Sequence, residues 1–223
     1  MIFPIGDDQV QGGYKPYFAY SFIALNVLIF IFQASLPTGQ LNSFIFEYGS
    51  IPVETVQGQD LFTLFTSMFL HGGWMHLIGN MLFLWVFADN IEATVGSISF
   101  VIFYLVGGLA AHAAHIYFNM GSEIPTVGAS GAIAAVMGAY LVMFPTSKIK
   151  MWAFFFTFRI AAIFFLGFWI FQQFMSGTAA LDVATEQTAG VAWWAHIGGF
   201  IFGVIAGFYY RSTGKMKQKP VYA

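Results

Sequence analysis

Six stretches of this chain contain no Asp, Glu, Lys or Arg: 16–46, 61–88, 93–122, 124–147, 160–181 and 187–210. Each is long enough to hold a helix of roughly 20 residues, the length that crosses about 30 Å of hydrocarbon. The composition agrees, with 58% hydrophobic and only 8% charged residues, where soluble domains carry about a quarter charged. The fold class expected is an all-α, polytopic membrane protein with six transmembrane helices.

The few charges set an orientation. An even number of crossings puts both ends on one side, and Lys15, Lys148, Lys150, Arg159, Arg211, Lys215, Lys217 and Lys219 then all fall in or beside segments of that side. The opposite side carries Glu47, Glu54, Asp60, Glu123, Asp182 and Glu186 with no Lys or Arg. By the positive-inside rule both termini are cytoplasmic. The opening MIFPIGDDQVQGGYKP has two acids and no basic n-region, so the first span is expected to be retained. With no organelle-type presequence in it, a bacterial inner membrane is the expected compartment. No cysteine is present, which removes disulfides and a thiol nucleophile, and a net charge of −2 gives no sign of nucleic-acid binding.

Along the chain, the first helix is expected over 17–36, closed by Pro37, Thr38 and Gly39. A long non-cytoplasmic connection with short interfacial helices runs to about Gly73. The second span is expected from Trp74 to Ala88 and the third from Ile98 to Phe118. The fourth begins near Ser130 and must stop before Pro145, leaving about 15 residues, too few for a full crossing. This short fourth helix is therefore expected to start below the outer surface, with Ser130 at the bottom of a water-accessible pocket, since irregular backbone at that depth survives only where protein or water shields it. The fifth span follows Arg159 and the sixth runs from Val191 to Tyr210. Residues 1–16 read as a short cytoplasmic N-terminus, 17–210 as one six-helix domain and 211–223 as a basic cytoplasmic tail.

Polar groups within hydrocarbon are expensive, so each is a candidate for function. Ser130 heads the fourth span and His196 lies about a turn and a half into the sixth. A serine hydroxyl becomes a useful nucleophile when a base, usually histidine, is within hydrogen-bond reach. Small residues supply a way to bring the two helices together: Gly199, Gly203 and Gly207 follow His196 on one face, and Ala134 and Gly138 follow Ser130 at four-residue steps. Gly128 and Gly131 flank the serine and allow a tight turn and close backbone approach. The alternative is an ordinary small-residue packing seam with incidental polar groups. His76 and Asn80 share a helical face, where with the backbone N–H of Ser130 they would stabilise an oxyanion; the alternative is hydrogen bonding between neighbouring helices. His112 and His115 are spaced for a metal, but no HExxH motif or nearby carboxylate accompanies them, so they read as structural or lip-lining and no metal is expected. His71 lies in the loop before the second span. The 28 Phe read as lipid-facing bulk.

With these residues in place, the sequence resembles the rhomboid family of intramembrane serine proteases. The resemblance rests on FLHGGWMHLIGNMLFLW (69–85), VGASGAIAAVMGAYLVMFP (127–145) and AHIGGFIFG (195–203). It implies Ser130 as nucleophile, His196 as general base and later acid, and His76, Asn80 and the Ser130 N–H as oxyanion donors. It also implies a membrane-embedded first loop at 37–72 and a mobile cap at 172–190. The partners implied are the lipid bilayer and single-pass transmembrane substrates, cut near the outer end of a helix that must unwind locally, with no cofactor. Two features depart from many members: Ala134 stands where some carry an aromatic residue stacked on the histidine, and the first loop has no arginine. An inactive relative that binds transmembrane helices is the runner-up, and a six-helix transporter a third reading, for which the paired broken helices are missing. Oligomeric state and physiological substrate have no signature here.

Overall fold

The computed structural model describes residues 2–8, 15–182 and 191–214. The chain runs through β1 (Ile2–Gly6), α1 (Tyr17–Ser35), α2 (Thr38–Tyr48), α3 (Pro52–Val56), α4 (Thr63–Thr66), a 3-10 turn (Ser67–Phe69), α5 (Trp74–Val95) and α6 (Ser97–Phe118). It continues through α7 (Ser130–Met143), β2 (Lys148–Ala153), β3 (Phe156–Ala161), α8 (Ala162–Asp182) and α9 (Trp193–Ser212). Among the described residues, three helices are long and apolar enough, by length and composition, to cross a membrane: α1, α6 and residues Ala162–Ala180 of α8. The 22-residue α5 and 20-residue α9 have the length, and α7 is an apolar helix of 14 residues.

At the centre stands α7. Every residue of it from Gly131 to Tyr140 is buried, the pattern of a helix enclosed on all sides. The outer helices turn large apolar side chains outward, such as Leu28, Ile31 and Phe32 on α1 and Phe164, Phe168 and Phe171 on α8.

The short fourth helix starts at Ser130, where the sequence places it. The second helix departs from expectation: α5 runs seven residues past Ala88, because Asp89, Asn90 and Glu92 lie buried inside the fold and do not mark a solvated end. Glu92 closes the N-terminus of α1, its carboxylate accepting the backbone N–H groups of Phe18 at 3.2 Å and Ala19 at 2.8 Å, and the Ser97 hydroxyl at 2.9 Å. A carboxylate there meets both the unpaired amides and the positive end of the helix dipole.

The three-stranded antiparallel sheet, in order β1-β2-β3, was not expected from the sequence. β2 alternates in burial, with Ile149, Met151 and Ala153 inward and Lys148, Lys150 and Trp152 outward, the two-residue period of a strand. β1 is fastened beneath the helices by the residues that follow it. Asp7 accepts hydrogen bonds from the Asn90 amide and the Tyr140 hydroxyl, and Asp8 accepts the Lys148 N–H at 2.9 Å and pairs with Arg159 at 3.1 Å.

The tightest packing is the seam between α7 and α9. A Cβ added at Gly203 would lie 1.9 Å from the Ala135 carbonyl oxygen, and at Gly199 2.1 Å from that of Gly131; at Gly138 it would lie 2.1 Å from that of Phe200. Neighbouring backbone, not a flexible side chain, fills each position, so the helices can approach only where the side chain is absent. Gly203→Ala is expected to destabilise the fold by about 1–3 kcal/mol through overpacking, lowering the thermal midpoint in detergent. Gly167→Ala on α8, where a Cβ meets nothing within 4 Å, should leave it unchanged or raised; equal midpoints for the two variants would contradict this reading of the seam.

Candidate active site

The turn leading into α7 is built by Gly128, whose φ of +129° suits a residue without a Cβ. Its N–H is held by the carbonyl of Ser67 at 2.9 Å. Two residues later Ser130 takes the first helical position, partly buried, where the leading amides of a helix have no partner one turn back. The α7–α9 seam then brings His196 to it, with His196 Nε2 2.8 Å from Ser130 Oγ. In this geometry the hydroxyl donates and Nε2 accepts, which requires the imidazole proton to sit on Nδ1.

Nδ1 faces the Oε1 of Gln173 at 2.7 Å. Gln173 lies on α8, 5% exposed, and its amide oxygen accepts the Nδ1–H. One turn earlier on the same helix Trp169 packs against the imidazole at 5.7 Å and 38°, while Trp193 presents its ring at 6.3 Å and 89°. Aromatic packing on His196 thus comes from α8 and α9, and the residue four after the serine is the fully buried Ala134. Neither Gln173 nor Trp169 was singled out from the sequence. The signal for both was present: an uncharged amide inside an apolar span with a tryptophan four residues before it, on one helical face.

His76 and Asn80 converge on the same turn from α5. A Cβ at Gly128 would lie 2.8 Å from the Cε1 and Nε2 of His76 and 3.6 Å from the Nδ2 of Asn80. The Gly72 N–H donates to His76 Nδ1 at 3.2 Å, so the ring proton is on Nε2, the atom turned toward Gly128. Asn80 Nδ2 is buried and has no hydrogen-bond partner in the protein. A buried donor without a partner is unusual. The site therefore sets two side-chain N–H donors against the backbone that leads into Ser130, an arrangement suited to a developing negative charge on oxygen.

The other histidines fasten the surroundings. His112 Nε2 lies 3.1 Å from Ser67 Oγ, and His115 Nε2 lies 2.9 Å from Thr126 Oγ1. They tie α6 to the two segments that flank the Gly128 turn. His115 Nδ1 also faces the Asn119 amide nitrogen at 3.4 Å, and among the described residues no three His, Cys, Asp or Glu side chains converge. The first loop, 37–72, is folded into α2, α3, α4 and the 3-10 turn. Its end is held to α1 by reciprocal hydrogen bonds: His71 N–H to Gln33 Oε1 at 3.1 Å, and Gln33 Nε2 to the His71 carbonyl at 3.3 Å. Of the cap expected at 172–190, residues 172–182 belong to α8 and 183–190 lie outside the described residues.

His71 itself is buried, and burial followed by the neighbouring His76 lowers its pKa to about 3. The folded protein then refuses a proton that the unfolded chain accepts below about 6.5, so this group removes stability as pH falls from about 6.5 toward 3 and has no effect at higher pH. His71→Leu is expected to flatten the fall of the thermal midpoint between pH 6.5 and 4; an unchanged pH slope would contradict the burial of a neutral imidazole here.

Comparison with known proteins places these residues in a family context. A family model described as the rhomboid domain matches residues 58–213. The chain is 35% identical over 128 residues to the rhomboid protease GluP of Bacillus subtilis, covering 57% of this chain and 24% of that protein. It is 26% identical over 210 residues to the mitochondrial rhomboid protein 1 of Saccharomyces cerevisiae, covering 92% of this chain and 56% of that one. To the mitochondrial presenilin-associated rhomboid-like protein of Mus musculus it is 31% identical over 147 residues, covering 62% of this chain and 35% of the relative. The chain thus spans between about a quarter and just over half of the length of these relatives.

Proposed function

This chain belongs to the rhomboid family, and from that premise we propose that it is an intramembrane serine endopeptidase that cuts single-pass transmembrane proteins near the outer end of their helices. The observation that carries the reading is the 2.8 Å approach of His196 Nε2 to Ser130 Oγ at the first turn of α7, beside two N–H donors from α5.

His196 takes the hydroxyl proton as Ser130 Oγ attacks the scissile carbonyl carbon. The resulting oxyanion lies among His76 Nε2–H, Asn80 Nδ2–H and the Ser130 N–H, and Asn80 Nδ2 gains the partner it lacks in the resting site. His196 then delivers its proton to the leaving amide nitrogen, and the peptide bond breaks to give an acyl-serine. A water molecule, giving one proton to His196, attacks the acyl carbon; the acyl C–Oγ bond breaks, His196 returns that proton to Ser130 Oγ, and the new C-terminal carboxyl group leaves. A helical substrate must first open its own backbone hydrogen bonds, which is cheaper in a wet cavity than in lipid, so unstable helices are the preferred substrates.

In the same reading, residues 17–210 form one domain of six crossings. The short α7 begins beneath the outer surface, the basic face including the β-sheet and the 211–223 tail is cytoplasmic, and 1–16 lies on that side. The relatives include bacterial and mitochondrial proteins alike; a bacterial inner membrane is the compartment we propose.

The test is cleavage of a model single-pass substrate with a destabilised helix by the purified protein in liposomes. Wild type is expected to cut, while Ser130→Ala and His196→Ala fall to background with unchanged thermal midpoints. Cleavage that survives Ser130→Ala would overturn the mechanism. Failure of wild type on several helix-unstable substrates would favour a helix-binding relative without protease activity.

A further inference from the structure

A neutral imidazole exists as two tautomers, and only the one with its proton on Nδ1 presents a lone pair at Nε2. Something must therefore hold that proton away from Ser130. In serine proteases with a buried carboxylate behind the histidine, the wrong tautomer costs on the order of 10⁴-fold in kcat. Among the described residues the hydrogen-bond partner of His196 Nδ1 is an amide, Gln173 Oε1 at 2.7 Å.

We propose that Gln173 is the positioning residue of this site: its amide oxygen accepts the Nδ1–H of His196 and so selects the tautomer whose Nε2 receives the Ser130 proton. The inference rests on the dyad reading above and deepens it. Gln173 is 5% exposed on a helix that carries no polar side chain but tryptophan from Ala162 to Phe171, a placement that an aliphatic residue would fill at lower desolvation cost were packing the only demand. Trp169, one turn before it on α8, covers the imidazole, so one helix supplies both the plate that limits ring rotation and the acceptor that fixes the proton. An amide also meets a constraint that a carboxylate would not, since it orients the base without placing a second charge in a low-dielectric interior. When His196 becomes an imidazolium, the Nδ1–H···O=C bond becomes charge-assisted and stronger, and the proton stays on nitrogen. The base of the dyad is therefore held from α8, an element separate from the α7–α9 seam that sets the distance to the serine.

Three variants separate this role from packing. Gln173→Met keeps length and volume but has no comparable acceptor, Gln173→Leu shortens the side chain, and Gln173→Glu keeps a carbonyl-type acceptor in either protonation state. Two readouts are taken on the intact protein in liposomes: kcat and KM for the model substrate, and the ¹⁵N spectrum of histidine-labelled protein, with the His196 signals identified by their loss in His196→Ala. Gln173→Met and Gln173→Leu are expected to lower kcat by about 10- to 100-fold, part of the roughly 100- to 10,000-fold that a general base contributes because the base itself is retained, with KM within about twofold. Gln173→Glu should recover at least about fivefold over Gln173→Met. Wild-type His196 should show the Nδ1–H form and Gln173→Met a shift toward the other tautomer. A Gln173→Met enzyme with wild-type kcat, equal losses in Gln173→Met and Gln173→Glu, or an unshifted tautomer would each overturn the proposal. Absence of Ser130-dependent cleavage in wild type would instead sink the protease reading, and the ¹⁵N signature would still decide the hold of Gln173 on His196.

Discussion

The close approach of two helix backbones is the constraint on which the rest depends. Ser130 and His196 are 66 residues apart in the chain, and neither side chain is long enough to bridge helices packed at ordinary separation, where axes lie about 8–10 Å apart with side chains between them. The seam removes that spacing: Gly199 rests against the Gly131 carbonyl and Gly203 against that of Ala135. A residue with any Cβ at either place moves α9 away from α7, and the 2.8 Å contact goes with it. Glycines usually weaken a helix by conformational entropy. Here they are justified by what they let the neighbouring helix do.

A second constraint is polar satisfaction. A structure embedded in lipid cannot leave backbone or side-chain donors to water, and the fold answers with partners drawn from distant segments. Glu92 receives the leading amides of α1, Gln33 and the backbone of His71 clasp each other, Asp7 gathers Asn90 and Tyr140, and His112 and His115 fasten the approach to Gly128. Several buried polar atoms are still left without a protein partner, among them Tyr104 Oη, Trp194 Nε1 and the amide nitrogen of Asn80. Of these, Asn80 Nδ2 is the one that lies beside the Gly128 turn into Ser130, where an anion would form during acyl transfer. This is where a binding site, as opposed to a structural joint, is expected to leave hydrogen-bonding capacity open.

Much of this was legible in the sequence. The starts of α1 at Tyr17, α5 at Trp74 and α7 at Ser130 follow from charge-free runs punctuated by Pro and Gly, which act locally and can be read locally. The Ser130–His196 pairing was legible because four-residue glycine spacing encodes close packing directly. Three features were not. The β-sheet joins residues 2–6 to 148–161, and a strand between two apolar helices yields only a few alternating positions before the pattern changes. The extension of α5 to Val95 was hidden because Asp89 and Glu92 look like the end of a span until their partners on other segments are known. Gln173 was overlooked for a related reason: its role depends on a partner 23 residues away across a connection, and one of two adjacent glutamines gives no sign of which one faces inward.

The central claim is that His196 makes Ser130 a selectively reactive nucleophile. The most direct measurement is covalent labelling with a fluorophosphonate in liposomes, followed by mass spectrometry of the digested protein. The account predicts an adduct on Ser130 and on no other serine, lost in His196→Ala while the helical fold is retained. Labelling spread over several serines, or an undiminished rate at Ser130 in His196→Ala, would contradict it.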